Sequence, residues 1–355
     1  MKARRSRCWR LITGVTLLAV FLMPLAAAVA AETEYVDAGR GDVRVVRPSD
    51  FDRSEPLPVV ILRHAFGYSA DFEESYLQFS AHVDSHRFIL CLPNGLLNLS
   101  FQRYWNATEA CCDLYGQGPD DSSYLRGLID VMSDAYEVDP RRIHLVGHSN
   151  GGFMAHRMIC DHPGLIAGLA TLASATFNDP DACVLGEPVH VLQIHGTGDP
   201  VIFFGGGCLP GGCYPSALMT QRYAADDNGC GRVPDETPEP LDLIASIPGD
   251  ETTVSVFAAS CDRGGAAELW TIPGVGHNPI FGTTFSRLVV EWFLDRPKPG
   301  DLGDLNGDGR IDAGDLGLLR AAWGRCSGCA ADLDGDGQVG GNDLGLLLAS
   351  WGLTG

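Results

Sequence analysis

The stretch "IHLVGHSNGGFMAH" at residues 143–156 decides the fold of this chain. It opens with an apolar run that predicts a buried strand, and its apolar side chains after Gly152 recur at helical spacing. Ser149 lies between the two segments in a G-x-S-x-G pattern, which is typical of a sharp turn from a strand into a helix. Small residues are needed there because such a turn forces its central residue toward strained dihedral angles. We therefore expect the Ser149 hydroxyl to be presented for nucleophilic attack; a tight turn with a solvated serine is the alternative.

Further apolar runs on both sides of this turn predict a sheet. They are continuous rather than alternating, and they lie at 58–62, 88–92, 165–173 and 189–195. Segments with helical spacing separate them, for example 124–136, and a final helix is predicted at 285–296. Buried strands that alternate with helices predict an α/β domain, with a mostly parallel sheet covered by helices on both faces.

Two residues downstream are candidates for activating the serine, since a free hydroxyl is a weak nucleophile. Asp199 follows the strand at 189–195 in a glycine-rich loop, and His277 lies in another such loop before the last helix. The order serine, acid, histidine is the one that this architecture uses. We expect His277 to accept the Ser149 proton and Asp199 to orient the imidazole. A surface-turn aspartate and a structural loop histidine are the alternatives; His148 should point away from Ser149.

Backbone N–H groups must stabilise the oxyanion that such an attack would form. One should come from Asn150, directly after the serine. The second should come from the loop after the strand at 58–62, where either Ala65 or Phe66 could donate.

The first 30 residues have the pattern of a secretory signal. A basic start precedes an apolar run at 11–25 and small residues at Ala28 and Ala30, which predicts cleavage after Ala30 and a secreted mature chain. A retained membrane anchor is the alternative; after cleavage no membrane segment is expected. Cleavage deletes five basic residues and moves the net charge from −20 to about −25, which disfavours nucleic acid as a partner.

Eleven cysteines follow the signal, a number that suits an oxidising compartment and leaves at least one unpaired. The adjacent Cys111 and Cys112 are expected to bond distant partners rather than each other, with Cys91, Cys160 and Cys183 as candidates. Short loops are expected to be closed by the pairs Cys208–Cys213 and Cys326–Cys329.

The composition changes after residue 296. "PKPG" opens a predicted linker at 297–303, and two similar units then begin at Asp304 and Asp332. Oxygen ligands recur in both at the offsets of a calcium loop, which predicts two Ca²⁺ sites in a small all-α module at 304–355. The first set comprises Asp304, Asn306, Asp308, the Arg310 carbonyl, Asp312 and Asp315; the second comprises Asp332, Asp334, Asp336, Gln338 and Asp343. A disordered acidic linker is the alternative.

An ordered set of motifs between residues 43 and 293 resembles the polyhydroxybutyrate depolymerase and feruloyl esterase family. It includes "RHAFGYSADF", "LPNG", "WNATEACC", "VDPRRIHLVGHSNGG", "IHGTGDPVI" and "PGVGHNP". The resemblance implies an α/β-hydrolase fold over 31–296, secreted ester hydrolysis without a cofactor, the triad Ser149, Asp199 and His277, and a Cys230–Cys261 bond. Ala65 departs from the glycine that members usually carry, and Asn278 stands where they often carry tryptophan.

The tail resembles dockerin modules, because each calcium loop precedes one helix and ends in aspartate. This implies a cohesin-type partner on a scaffold or cell surface; a folded cap without a partner is the alternative. The resemblances together predict a serine esterase that acts on feruloyl or acetyl esters attached to polysaccharide. A polyester depolymerase is the first alternative, and a non-catalytic surface or scaffold-binding protein is the second.

Overall fold

The computed structural model describes residues 30–257, 261, 264–298, 303–306, 310–326, 331–333 and 337–352. The predicted signal therefore lies, apart from Ala30, outside the described residues. Within the described ranges, no helix combines the length and apolar character needed to cross a bilayer.

In the part of the chain that the structure describes, nine strands form the central sheet. They are β1 (Glu32–Asp37), β2 (Asp42–Arg47), β3 (Leu57–Arg63), β4 (Ile89–Leu92), β5 (Val138–His148), β6 (Gly168–Leu172), β7 (His190–Gly196), β8 (Thr253–Phe257) and β9 (Ala267–Ile272). Their order across the sheet is β1-β2-β4-β3-β5-β6-β7-β9-β8. The six strands from β4 to β9 in this order are parallel, whereas β1, β2 and β8 pair antiparallel at the two edges.

Helices cover both faces of this sheet. They are α1 (Ala70–Leu77), α2 (Asp121–Ala135), α3 (Asn150–Asp161), α4 (Ala217–Asp227) and α5 (Thr283–Leu294). Apolar side chains of α2, α3 and α4 pack on one face, and those of α1 and α5 pack on the other. Neighbouring residues of a strand point to opposite faces, so that Leu145 joins the first core and Val146 the second. The prediction of an α/β domain with a mostly parallel sheet is confirmed.

The disulfides differ from the prediction at the adjacent cysteines. Cys111 bonds Cys112, across a cis peptide bond and with the two Cα atoms 3.0 Å apart. The expected distant partners are not available to them, because Cys160 bonds Cys183 and Cys91 is a free thiol buried in strand β4. The prediction of distant partners for Cys111 and Cys112 is therefore wrong.

Two other predicted disulfides are confirmed. Cys208 bonds Cys213 across a short hairpin, and Cys230 bonds Cys261. Cys326 is disulfide-bonded, whereas Cys329, its predicted partner, lies outside the described residues.

The described residues of the C-terminal module include two helices, α6 (Ala313–Ala321) and α7 (Gly341–Ala349). Its core is formed by a small set of apolar side chains, which are Ile311, Leu319, Ala331, Leu333, Val339 and Leu347. The module is not purely helical as predicted, because Gly324–Arg325 pairs antiparallel with Gln338–Val339. This short ladder connects the segment after α6 to the segment before α7.

Candidate active site

The turn at Ser149 has the strained geometry that the sequence predicts. Ser149 joins β5 to α3 with φ 52° and ψ −118°, in a region that residues with a Cβ atom seldom adopt. A Cβ atom on Gly147 would collide with the Gly151 carbonyl, and one on Gly151 would collide with the Arg63 carbonyl. The glycines on both sides of the serine are therefore required by close backbone contacts.

Asp199 and His277 lie together at the carboxyl edge of the sheet. Asp199 follows β7 and His277 follows β9, and these two strands are parallel neighbours. The His277 Nδ1 atom lies 2.8 Å from Asp199 Oδ2. Because a carboxylate only accepts hydrogen bonds, this contact selects the neutral tautomer that carries its proton on Nδ1 and keeps the lone pair on Nε2 of His277.

The surroundings of Asp199 favour its ionised form. Its Oδ1 atom accepts hydrogen bonds from the N–H groups of Val201 and Ile202 at 2.8 and 3.0 Å. His195, four residues earlier, has its Nε2 atom 3.4 Å from Oδ2. Burial opposes ionisation, but these donors and the His277 contact outweigh it and hold the pKa of Asp199 well below its ordinary value.

The residue before Ser149 contacts the loop that carries His277. The Nε2 atom of His148 lies 3.2 Å from the backbone oxygen of His277. Ser149 is 7% exposed, and no hydrogen bond of its hydroxyl with another described residue is present. Serine–histidine contacts are often long before a substrate binds. His148 makes its other contact with Glu73, away from the serine, as expected.

The sequence left either Ala65 or Phe66, in the loop after β3, as the second N–H donor, and the hydrogen bonds of this loop distinguish the two. The Ala65 N–H donates to Glu73 Oε2 at 2.9 Å and is thereby occupied. The N–H group of Phe66, next along the loop, makes no such contact among the described residues. His64 holds this loop in place, since its ring contacts the Ala65 carbonyl and accepts from the Gly95 N–H. Burial lowers the pKa of His64 to about 4, so the ring is neutral.

Asn150, which supplies the other predicted N–H donor, has its side chain fixed. Its amide oxygen accepts from the backbone N–H of Trp105, and its amide nitrogen donates to the backbone carbonyl of Trp105, both at 2.8 Å. The same nitrogen lies 3.5 Å from the sulfur of Cys111. The residue after Ser149 is therefore held by the "WNATEACC" segment.

Sequence reasoning missed the contacts that Glu73, His195 and His148 make at this site. His195 carries a usable signal, since it lies at the end of a predicted strand four residues before Asp199. Glu73 carries none, because an isolated acid in a helix is most often on a solvated face.

The predicted calcium ligands are described in part. Asp308, Asp334 and Asp336 lie outside the described residues, and the described acids do not by themselves form a cluster of three that could hold an ion. Asp315 and Asp343 are buried carboxylates that accept N–H groups from the loops before their helices. Asp332 Oδ2 accepts from the Gly337 N–H at 2.9 Å, while its buried Oδ1 atom has no hydrogen-bond partner among the residues that the structure describes. An unpartnered buried carboxylate oxygen at position 1 of the loop fits a cation ligand.

Comparisons with known proteins agree with both parts of this description. Residues 302–349 match the family described as Dockerin type I domain. Over 288 residues the chain is 28% identical to "Putative esterase NocK" of Nocardia uniformis subsp. tsuyamanensis, covering 77% of this chain and 80% of that protein.

Two further relatives come from Neocallimastix patriciarum and Piromyces equi. The chain is 27% identical over 264 residues to "Bifunctional acetylxylan esterase/xylanase XynS20E", with 73% of this chain and 34% of that protein covered. It is 28% identical over 238 residues to "Feruloyl esterase B", with 65% and 41% covered. The chain thus spans less than half of either of these two relatives.

Among solved structures, the acetyl xylan esterase from Aspergillus awamori has a TM-score of 0.51 and 16% identity, with 74% of this chain and 98% of that chain covered. At this identity the likeness concerns the fold, which is the α/β-hydrolase fold that the sequence predicts. The chain therefore carries a dockerin type I domain, and the domain before it has the fold of α/β-hydrolase esterases and resembles carboxylic ester hydrolases in sequence.

Proposed function

We propose that this chain is a secreted serine carboxylic ester hydrolase with Ser149 as nucleophile, His277 as general base and Asp199 as the orienting acid. The observation that carries the proposal is the 2.8 Å contact between His277 Nδ1 and Asp199 Oδ2, in a loop that also contacts the residue before Ser149. This contact leaves Nε2 of the imidazole as the basic atom.

The proposed reaction has two stages. His277 Nε2 removes the hydroxyl proton as Ser149 Oγ attacks the ester carbonyl, and it then gives that proton to the leaving alcohol as an acyl-enzyme forms. Water, deprotonated by the same nitrogen, attacks the acyl-enzyme; the imidazolium then returns this proton to Ser149 Oγ as the acid is released. Asp199 stays ionised throughout and stabilises the imidazolium.

In both stages negative charge develops on the carbonyl oxygen. The N–H groups of Asn150 and Phe66 are the proposed donors to this oxyanion. Ala65 is the weaker candidate because its N–H already donates to Glu73.

Turnover of p-nitrophenyl butyrate tests the catalytic proposal. Ser149→Ala should reduce kcat on the order of 10³-fold or more, since the nucleophile and its base act as a unit. Equal turnover by the wild type and Ser149→Ala would remove the catalytic reading and leave a non-catalytic surface or scaffold-binding protein.

We propose esters attached to polysaccharide as the substrate class. The support is the dockerin type I domain together with relatives that are named for acetylxylan and feruloyl esters. A parallel assay of methyl ferulate, acetylated xylan and polyhydroxybutyrate film tests the choice. Release of ferulate or acetate without erosion of the film is the expected result.

A polyester is the second candidate, and one surface favours it. The hairpin formed by Leu96–Leu97 and Arg103–Tyr104 exposes apolar side chains, with Leu99 70% and Phe101 84% accessible. This apolar hairpin adjoins the loop after β3 that carries Ala65 and Phe66, here called the oxyanion loop. The contact is the hydrogen bond from the Gly67 N–H to the Arg103 carbonyl at 2.8 Å. An apolar polymer surface could rest on such side chains.

For the C-terminal module we propose two Ca²⁺ sites and a cohesin-type partner outside the cell. The Ca²⁺ ions would be held by the loop positions that begin at Asp304 and Asp332, and they would neutralise carboxylates that otherwise repel one another. The buried Asp332 Oδ1 atom without a partner supports the second site. Calcium has no part in the proposed ester hydrolysis.

A further inference from the structure

A buried carboxylate lies behind the candidate active site. Glu73, on helix α1, is completely buried, yet it is not part of the proposed triad. Its Oε2 atom accepts the Ala65 N–H at 2.9 Å, and its Oε1 atom lies 3.0 Å from His148 Nδ1. One oxygen of Glu73 therefore contacts Ala65, which precedes the proposed oxyanion donor Phe66. The other oxygen contacts His148, which precedes the proposed nucleophile.

His148 extends this chain of contacts to the proposed base. Its Nε2 atom lies 3.2 Å from the His277 carbonyl oxygen. Since a carbonyl only accepts hydrogen bonds, Nε2 of His148 donates to the His277 carbonyl. The Nδ1 atom faces the Glu73 carboxylate and donates a hydrogen bond to it. Burial by itself would lower the pKa of His148, but the charge and hydrogen bond of Glu73 and the His277 contact raise it overall.

Among the described residues, no second acid forms a hydrogen bond with the His148 ring. The rings of Tyr68 and Tyr76 lie 6.4 and 5.6 Å from it, and the ring of His277 lies 5.2 Å from it, measured between centroids. Asp199 acts on His148 only through its charge. Glu73 is thus the carboxylate to which His148 is bonded.

We propose that Glu73 and His148 are positioning residues, which fix the oxyanion loop and the His277 loop relative to Ser149 through the contacts Ala65–Glu73–His148–His277. This inference rests on the proposed function. Glu73 occupies the Ala65 N–H and so leaves Phe66 as the donor to the oxyanion. His148 holds the backbone of His277, whose ring must meet the serine hydroxyl.

The next residue of the same helix provides a matched control. Glu74 is 5% exposed, and its Oε1 atom accepts the Ser80 N–H at 2.8 Å. It therefore has a burial and a backbone contact similar to those of Glu73, but it contacts neither the oxyanion loop nor His148. Glu74→Leu should cost stability without altering catalysis.

The experiment measures kcat and KM for p-nitrophenyl butyrate, with folding checked by circular dichroism. Glu73→Leu and His148→Phe should each lower kcat about tenfold to a hundredfold at nearly unchanged KM, because a small misplacement of catalytic groups has effects of this order. Combined, they should lower kcat no further than the stronger single variant, since both break one chain of contacts. Glu73→Gln should restore most of kcat, because its amide can accept from Ala65 and donate to a neutral His148.

Three results would overturn the inference. They are a folded Glu73→Leu with wild-type kcat, an equal loss of kcat in Glu74→Leu, and a Glu73→Gln variant as slow as Glu73→Leu. If Glu73→Leu does not fold, the kcat of His148→Phe serves as the test instead, and a wild-type kcat in His148→Phe overturns the inference. Ser149→Ala separates the two proposals: wild-type turnover in that variant ends the proposed function as well, whereas its inactivity beside an unaffected Glu73→Leu ends this inference alone.

Discussion

The imidazole of His277 and the carboxylate of Asp199 are hydrogen-bonded at 2.8 Å, although 78 residues separate them in the chain. The carboxylate has no exposed side-chain surface, and two backbone N–H groups hold its other oxygen. Asp199 therefore cannot turn away from the histidine without leaving buried donors unpaired.

Asp199→Asn tests whether this contact selects the reactive form of His277. The amide can turn its NH₂ group toward Nδ1, which places the imidazole proton on Nε2 and removes the basic atom. We expect kcat for p-nitrophenyl butyrate to fall on the order of 10²- to 10⁴-fold, with a similar melting temperature. Turnover within twofold of the wild type would show that the contact has no part in catalysis.

Four buried histidines predict a loss of stability in mild acid. Burial lowers the pKa of His64 and His190 to about 4 and that of His144 and His156 to about 3. Between these values and the ordinary value of about 6.5, the unfolded chain binds protons that the native protein does not. The free energy of unfolding should therefore be highest above about pH 6.5 and fall as the pH is lowered, by up to about 1.4 kcal/mol per pH unit for each histidine.

Urea unfolding between pH 4.5 and 7 measures this slope, and His144 offers the control. Neither of its ring nitrogens has a hydrogen-bond partner in the described part of the chain, and the ring stacks on Phe293. His144→Leu should reduce the slope by the equivalent of about one proton. A slope that is the same in the wild type and this variant would contradict the assignment of His144 as neutral in the native protein.

Gly151→Ala tests how closely the strand-to-helix turn is packed. The added Cβ atom would collide with backbone atoms of Arg63 and His64, which cannot move without disturbing β3. We expect a destabilisation of about 1–3 kcal/mol together with loss of activity. Gly127→Ala is the control, because Gly127 lies inside α2 with open space around its Cα atom and alanine should be neutral or favourable there.

Leu99→Ser combined with Phe101→Ser tests the apolar hairpin as a polymer-binding surface. Both side chains are largely exposed, so their replacement should leave folding intact. If a polyester is the substrate, erosion of a polyhydroxybutyrate film should fall about tenfold or more while turnover of p-nitrophenyl butyrate is unchanged. Equal loss on both substrates would contradict a separate role in polymer binding.

Calcium removal should affect the C-terminal module alone. In the full chain, titration after EDTA treatment should show two bound Ca²⁺ ions for the wild type and one for Asp332→Ala, with a gain in helix content on binding. Turnover of p-nitrophenyl butyrate should be the same with and without EDTA, because the proposed nucleophile, base and oxyanion donors need no metal. Two tightly bound ions in Asp332→Ala would contradict the assignment of Asp332 as a ligand.

The central strands were predictable from the sequence because both of their faces are buried. Strand β7 at His190–Gly196 lies within one residue of the predicted 189–195 at each end, and every one of its residues is buried. The edge strand β1 has the sequence "ETEYVD" and is half exposed, so no continuous apolar run marks it. Its pairing with β2 depends on tertiary contacts that propensity does not report.

The candidate triad was assigned from a different kind of signal. Ser149 lies in a motif whose strained turn imposes a local sequence requirement, and Asp199 and His277 lie in glycine-rich loops after strands. Glu73 imposes no such requirement on its neighbours. Its proposed positioning role follows only from Ala65 and His148, which the folded chain brings to its two oxygens.

The buried thiol of Cys91 provides a chemical probe of how often the sheet opens. Its thiol is enclosed within the sheet, and burial raises its pKa to about 12, so a maleimide or iodoacetamide added to the native protein finds no thiolate there. Alkylation of Cys91 should then proceed only when the sheet opens between β2 and β3. The rate of mass gain at this one position would report how often this part of the sheet opens under native conditions.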